Sequence, residues 1–236
     1  MKKLIESIKA SKTKKIILCF CTFILIGAIT VFAIGKISSN KLKNPDKAID
    51  NLLAVFYTND YNENIAKELL GGKTTKEYFG ELKQNSYDTV YNSLKGLGEG
   101  SLIDGKDAVT IANDYTDASV NLMKKVKEYT VTEKQEIDGG YRFTIKVIPA
   151  NLSDIYGQAN ECAANLTEKI KTEDPQLASL DGHEYAIYYY CITKGMNDGG
   201  KEEGSAQTIS VIMKKNEKGK YIPDESSLLA LISASY

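Results

Sequence analysis

Tryptophan is absent from this 236-residue chain, histidine occurs once, at His183, and arginine once, at Arg142. Each scarcity excludes something. One histidine and two separated cysteines make no zinc ligand cluster, so no metal is expected. With His183 at the start of a strand and Cys191 eight residues on, the two stand about 26 Å apart, too far for a nucleophile and its base. Beyond Gly35 the chain carries a formal charge of about −6. That balance argues against a phosphate-binding surface and against nucleic acid as a partner. No cofactor motif survives inspection either. Gly72-Lys73-Thr74 resembles the end of a phosphate-binding loop, but Lys67 stands where its first glycine belongs, and a helix precedes it instead of a strand. Gly96, Gly98 and Gly100 follow no strand, and Asp104 to Asp107, DGKD, lacks the length and ligand pattern of a calcium loop.

Charge is also missing from Ile16 to Gly35, IILCFCTFILIGAITVFAIG, and here the absence is the signal. Twenty helical residues rise about 30 Å, the thickness of a bilayer's hydrocarbon core. Six lysines against Glu6 precede the run, which places the N-terminus in the cytoplasm and the remainder across the membrane. The expected organisation is a cytoplasmic basic segment over 1–15, a transmembrane helix over 16–35, a juxtamembrane spacer over 36–43 and an extracellular α+β domain over 44–236. A signal peptide cleaved near Ala33-Ile34-Gly35 is the rival reading, opposed by the length of the apolar run. Cys19 and Cys21 lie near its cytoplasmic start, which does not fit lipid attachment. Cys162 and Cys191 remain outside, either as one disulfide closing a loop of about 30 residues or as two buried thiols.

Past the spacer, Asn44-Pro45 reads as a cap and first helical position, followed by an apolar stripe from Ala48 to Phe56. A second helix is expected from Asn62 to Leu70, stopped by Gly71-Gly72, then separate helical turns over Thr75 to Leu82 and Tyr87 to Leu94, and a helix over Ala108 to Met123. From Val126 the period becomes two, and Asp138-Gly139-Gly140 turns the chain into Tyr141 to Ile148, a hairpin. Ser153 is expected to cap an amphipathic helix bearing Cys162, and a loop follows around Asp174-Pro175. His183 to Thr193, HEYAIYYYCIT, is apolar on both faces and reads as a central strand. Gly195 to Gly204 reads as a polar loop, Thr208 to Ile222 as a second hairpin, and Leu228 to Ile232 as a last helix. Helices covering one face of an antiparallel sheet make an α+β domain.

Tyr185, Tyr188, Tyr189 and Tyr190 are the candidate ligand-binding residues, since aromatic rings with polar tips suit a cleft for peptide or sugar. The competing view makes them the core of a sheet that lacks tryptophan. Acid pairs such as Glu202-Glu203 and Asp114 with Asp117 fall in loops or helix starts, where carboxylates are ordinary solvated charges. No catalytic residue is assigned.

NPDKAIDNLLAVFYTNDYNENIAKELL, from Asn44 to Leu70, and TISVIMKKNEKGKYIPD, from Thr208 to Asp224, resemble the opening and closing of a cone-shaped α+β fold of the nuclear-transport-factor-two type. YRFTIKVIPANLSDIYGQA between them resembles an uncharacterised domain family of Firmicutes surface lipoproteins, whose lipid-attachment cysteine this chain lacks. The resemblance implies a cell-surface α+β module and no particular chemistry. The reading is a membrane-anchored, non-enzymatic extracellular module of a bacterial envelope, binding an envelope protein, peptide or wall polymer. The alternatives are an enzyme of the cone-shaped fold and an accessory subunit of a membrane complex.

Overall fold

The computed structural model describes residues 40–199 and 203–236, so the apolar run Ile16 to Gly35, Cys19, Cys21 and Glu202 lie outside the described residues. Among the described residues no helix is long and apolar enough to cross a membrane. The last four residues of the expected spacer, Asn40–Lys43, form a 3-10 turn with Leu42 fully buried.

Capping chemistry sets the helix starts. The Asn44 side chain accepts from the amides of Asp46 and Lys47 at 2.9 and 3.0 Å, opening α1 (Pro45–Tyr57). Asn62 does the same for α2 (Glu63–Leu69), and Thr74 with Glu77 forms a capping box that opens α3 (Thr75–Leu94). The expected two pieces here are one 20-residue helix. The polar stretch between the two pieces, Lys83 to Ser86, marks a crossing. Phe79 and Leu82 enter one hydrophobic cluster, Val90 and Leu94 enter another, and Ser86 lies buried between them. Asp107 then caps α4 (Ala108–Leu122) through the Thr110 amide at 2.8 Å.

β1 (Glu128–Ile137) and β2 (Gly140–Ile148) form the expected hairpin, and β3 (Gln207–Lys215) and β4 (Tyr221–Pro223) extend it into an antiparallel sheet of order β1-β2-β3-β4. Phe143, Ile145, Val147, Val211 and Met213 share the buried face, while Arg142, Lys146, Thr208 and Ser210 face outward. A Cβ at Gly140 would stand 2.2 Å from the Met213 carbonyl oxygen, so only glycine lets β3 pair there. Thr132 is an extra residue between Val131 and Glu133, a bulge in β1. Along β3 beyond β4, the Ile212 amide donates to the Ser227 hydroxyl at 2.7 Å and the Gln207 side chain donates to the Tyr236 carbonyl at 3.1 Å. The last helix, α8 (Glu225–Ser233), thus covers that edge.

Between β2 and β3 the chain makes α5 (Leu152–Glu173), α6 (Pro175–Ser179) and α7 (His183–Asp198). Three expectations are corrected here. Asn151, not Ser153, caps α5, accepting from the Ser153 amide at 3.0 Å. The loop at Asp174-Pro175 is the start of α6, with Asp174 as its cap and Pro175 in the first turn, where its missing N–H costs nothing. His183 to Thr193 is helix, and α7 continues through half of the expected polar loop to an αL cap at Gly199. Local β preference pointed the other way, but an apolar run without alternation is equally the mark of a buried helix. α4 and α5 both pack on α7, whose buried residues, from Ala186 and Ile187 to Ile192 and Met196, lie around most of its circumference.

Two hydrophobic clusters result. The first joins α1, the sheet and α8; the second joins α4, α5, α7 and the far half of α3. Tyr236 contacts both, donating its hydroxyl to the Ser119 carbonyl at 2.8 Å, and Tyr57 ties α1 to α8 through the Leu231 carbonyl at 2.9 Å. Cys162 and Cys191 form a disulfide with Cα atoms 5.6 Å apart, joining α5 to α7, helix to helix where helix to sheet was expected. The same two helices meet at Gly195, where a Cβ would lie 3.0 Å from the Ile155 carbonyl oxygen.

Candidate functional site

Because α7 is a helix, its tyrosines do not alternate as they would on a strand. Tyr185, Tyr188 and Tyr189 share a stripe, and Tyr190 lies about 100° further round. Tyr189 is 2% exposed and meets Tyr115 edge-on at 4.9 Å between centroids. Tyr185 and Tyr188 are half-buried on the same cluster, and burial, with Tyr156 nearby, pushes the Tyr188 phenol up. Tyr190 meets charged groups.

Two of those groups, Asp104 and Lys106, come from the Asp104–Asp107 turn, and a third, Lys194, from α7 itself. Ile103 and Lys106 exchange backbone hydrogen bonds at 2.9 and 3.0 Å, which closes a two-residue loop. Asp104 at φ 49 and Gly105 at φ 80 both occupy the left-handed region that such a turn requires. Asp104 is the one non-glycine residue with positive φ among the described residues, and aspartate tolerates that conformation better than most. Fully buried Ile103 roots the turn in the helical cluster. The Tyr190 hydroxyl donates to the Asp104 carboxylate. Lys106 Nζ lies 5.7 Å and Lys194 Nζ 4.9 Å from the Tyr190 ring centroid, and Lys106 pairs with Asp114 at 2.5 Å. A hydrogen bond with Tyr190 raises the Lys194 pKa, outweighing slight burial, with Asp104 and Asp198 adding to it. Hydrogen bonds from Thr110 hold the Asp107 carboxyl below the usual range.

An aromatic and apolar surface adjoins this turn. Tyr87 and Tyr91 stack on α3 with centroids 5.6 Å apart and planes 8° from parallel, both half-buried. Burial, then Tyr91, Asp88 and Asp107, push the Tyr87 phenol up. Among the described residues the exposed large hydrophobics are Leu102, at 50%, and Val109, at 43%, and they flank the turn on either side. An isolated exposed leucine means little. Two such residues bracketing one charged turn, beside stacked tyrosines, have the character of a contact surface.

The other sequence candidates have separate partners. Asp114 pairs with Lys106 and Asp117 with Lys83 at 2.5 Å, so the two acids serve separate lysines. Glu203 bridges to Ala150. His183 donates from Nδ1 to the Leu180 carbonyl at 2.8 Å, and Tyr190 lies two turns along the helix from it. Among the described residues no three His, Cys, Asp or Glu side chains are grouped to hold a metal ion. The sequence showed Asp104 to Asp107 only as a rejected calcium loop, and Leu102 and Val109 carried no signal of their own. The visible signal was Asp104-Gly105 after the apolar pair Leu102-Ile103, a dipeptide that favours a tight turn.

No protein-family model matches the chain, and a search of curated proteins returns no match. Among solved structures, the crystal structure of a candidate lipoprotein (ycdA) from Bacillus subtilis is similar, at a TM-score of 0.51 and 17% sequence identity. The match covers 83% of this chain and 56% of that one, so this chain spans little more than half the length of its neighbour. At that identity the likeness speaks for a shared α+β fold. The neighbour is described as a lipoprotein and not by a fold type, so the likeness to the nuclear-transport-factor-two type rests on the sequence segments alone.

Proposed function

We propose that this chain is a membrane-anchored, non-enzymatic binding module of a bacterial cell envelope, held by Ile16 to Gly35 with its N-terminus in the cytoplasm. Its contact surface is the ground around the Asp104–Asp107 turn, in place of the Tyr185 to Tyr190 cleft expected from sequence. The carrying observation is that Leu102 and Val109, the exposed large hydrophobics among the described residues, flank one turn that Asp104 and Tyr190 hold in place. The lipoprotein neighbour is consistent with an envelope setting. A partner of mixed character, an envelope protein, peptide or wall polymer, suits a surface combining ammonium groups, carboxylates and aromatic faces. The Asp104–Tyr190 pair is also what an enzyme acting through an acid and a tyrosine would need. Tyr190 is only 8% exposed, however, and its hydroxyl serves the turn.

The test compares the full chain with a Leu102→Asp, Val109→Asp variant for retention of envelope components. Burying a leucine or valine is worth about 1.5 to 3 kcal/mol, so the variant is expected to lose about tenfold or more in binding at an unchanged thermal midpoint. Equal retention by both, or cleavage of wall fragments by the wild type, would overturn the reading.

A further inference from the structure

The exported part is acidic overall, yet one end of the described structure runs against that balance. Lys41 and Lys43 are exposed on the 3-10 turn, which buried Leu42 pins against β4. On the adjoining β3–β4 hairpin, Lys214, Lys215 and Lys218 are exposed too. Asn216 fixes the hairpin tip, its side-chain oxygen accepting from the amides of Lys218 and Lys220, each at 3.0 Å. Lys220 turns inward to pair with Glu68 at 2.5 Å, and the other five lysines have no ion-pair partner among the described residues. Glu217 at the tip and Asp224 near Lys214 are the acids on the same hairpin.

The chain length beyond the structure says what this end faces. From Gly35, where the apolar run ends, to Asn40 is five residues, which reach at most about 18 Å. So short a tether keeps the end of the domain that carries Asn40 next to the bilayer, where Lys41, Lys43 and the adjoining hairpin lysines can come within the roughly 8 Å over which the surface charge acts. Resting on the anchor reading above, we propose that Lys41, Lys43, Lys214, Lys215 and Lys218 dock on anionic lipid headgroups beside the anchor. The domain then stands hairpin end down. α3, about 30 Å long, runs from the cluster beside the hairpin to the cluster beneath Tyr87 and Tyr91, and carries the Asp104 turn away from the bilayer.

The full chain is reconstituted in phosphatidylglycerol-containing vesicles and in pure phosphatidylcholine vesicles, domain outward. Acetylation by a membrane-impermeant reagent is then followed lysine by lysine with mass spectrometry. Lys214, Lys215 and Lys218 are expected to react about fivefold more slowly on anionic vesicles, with exposed Lys95 unchanged and the protection lost in about 1 M salt. Vesicle flotation that carries the chain, with equal acetylation on both lipids or equal slowing at Lys95, overturns the docking alone. Failure of the chain to float with vesicles overturns the anchor reading and the docking with it. Protection on phosphatidylcholine that appears only when a soluble phosphate polymer is added overturns the assignment to lipid.

Discussion

Tyr190 on α7 donates its hydroxyl to the carboxylate of Asp104, a residue 86 positions earlier, and so ties a turn with positive φ to the most buried helix of the second cluster. The hydrogen bond has a charged acceptor, worth about 1.5 to 3 kcal/mol when well enclosed and less at an exposed carboxylate. Tyr190→Phe is expected to cost about 1 to 2 kcal/mol and to speed hydrogen exchange at the Lys106 amide, which bonds to the Ile103 carbonyl across the turn. An unchanged Lys106 exchange rate would mean that Tyr190 does not hold the turn.

The Cys162–Cys191 bond closes a loop with a sequence separation of 29, for which chain entropy gives a stabilisation of about 3 to 4 kcal/mol. Reduction, or the Cys162→Ala, Cys191→Ala variant, should lower the thermal midpoint by several degrees. Exchange should quicken first in the C-terminal half of α5, where among buried residues only Ile170 anchors it. A midpoint unaffected by reductant would show the bond to be absent in solution.

Glycine substitutions separate packing from propensity. At Gly80 and Gly157, inside α3 and α5, an added methyl would meet nothing within 4 Å, so alanine at either should stabilise by about 0.5 to 1 kcal/mol. Gly195→Ala should destabilise despite the same gain in propensity, because the Ile155 carbonyl stands at 3.0 Å. Gly140→Ala should be worse still, at 2.2 Å from the Met213 carbonyl. Denaturant midpoints for the four variants check the order.

Alkaline pH should act in two opposite ways. Burial lowers the Lys124 pKa to about 8, so the folded state binds that proton more weakly than the unfolded chain does. Stability from this group therefore rises as pH goes from about 8 towards 10.5. Burial raises the phenols of Tyr57, Tyr78 and Tyr236, and their contribution, complete below about 10, is lost as pH climbs further. The thermal midpoint should rise gently between pH 8 and 10 and then fall, with Lys124→Met removing most of the rise. A steady decline from pH 7 in the wild type would contradict this assignment.

Much of the fold could be read from residues whose chemistry is local. Asn44-Pro45, Asn62, Asp138-Gly139 and Pro223-Asp224 each announce a cap or a turn with no help from tertiary structure. The α7 segment could not be read that way. Its run of tyrosines and β-branched neighbours, apolar on both faces, favours a strand locally, and contact with α4 and α5 decides for helix. The candidate site stayed hidden for a related reason. Asp104 and Lys106 lie more than eighty residues from Tyr190, and an Asp-Gly turn gains its importance from what packs on it.

The central claim is that the surface around Leu102 and Val109 meets an envelope partner. The most direct measurement places a photo-crosslinking amino acid at position 102 or 109 of the full chain in the cells that make it, with positions 208 and 210 on the outer face of β3 as controls. Discrete adducts from 102 and 109, weakened by Tyr190→Phe and absent from 208 and 210, are the predicted result. Adducts of equal yield from all four positions, or none from 102 and 109, would contradict it.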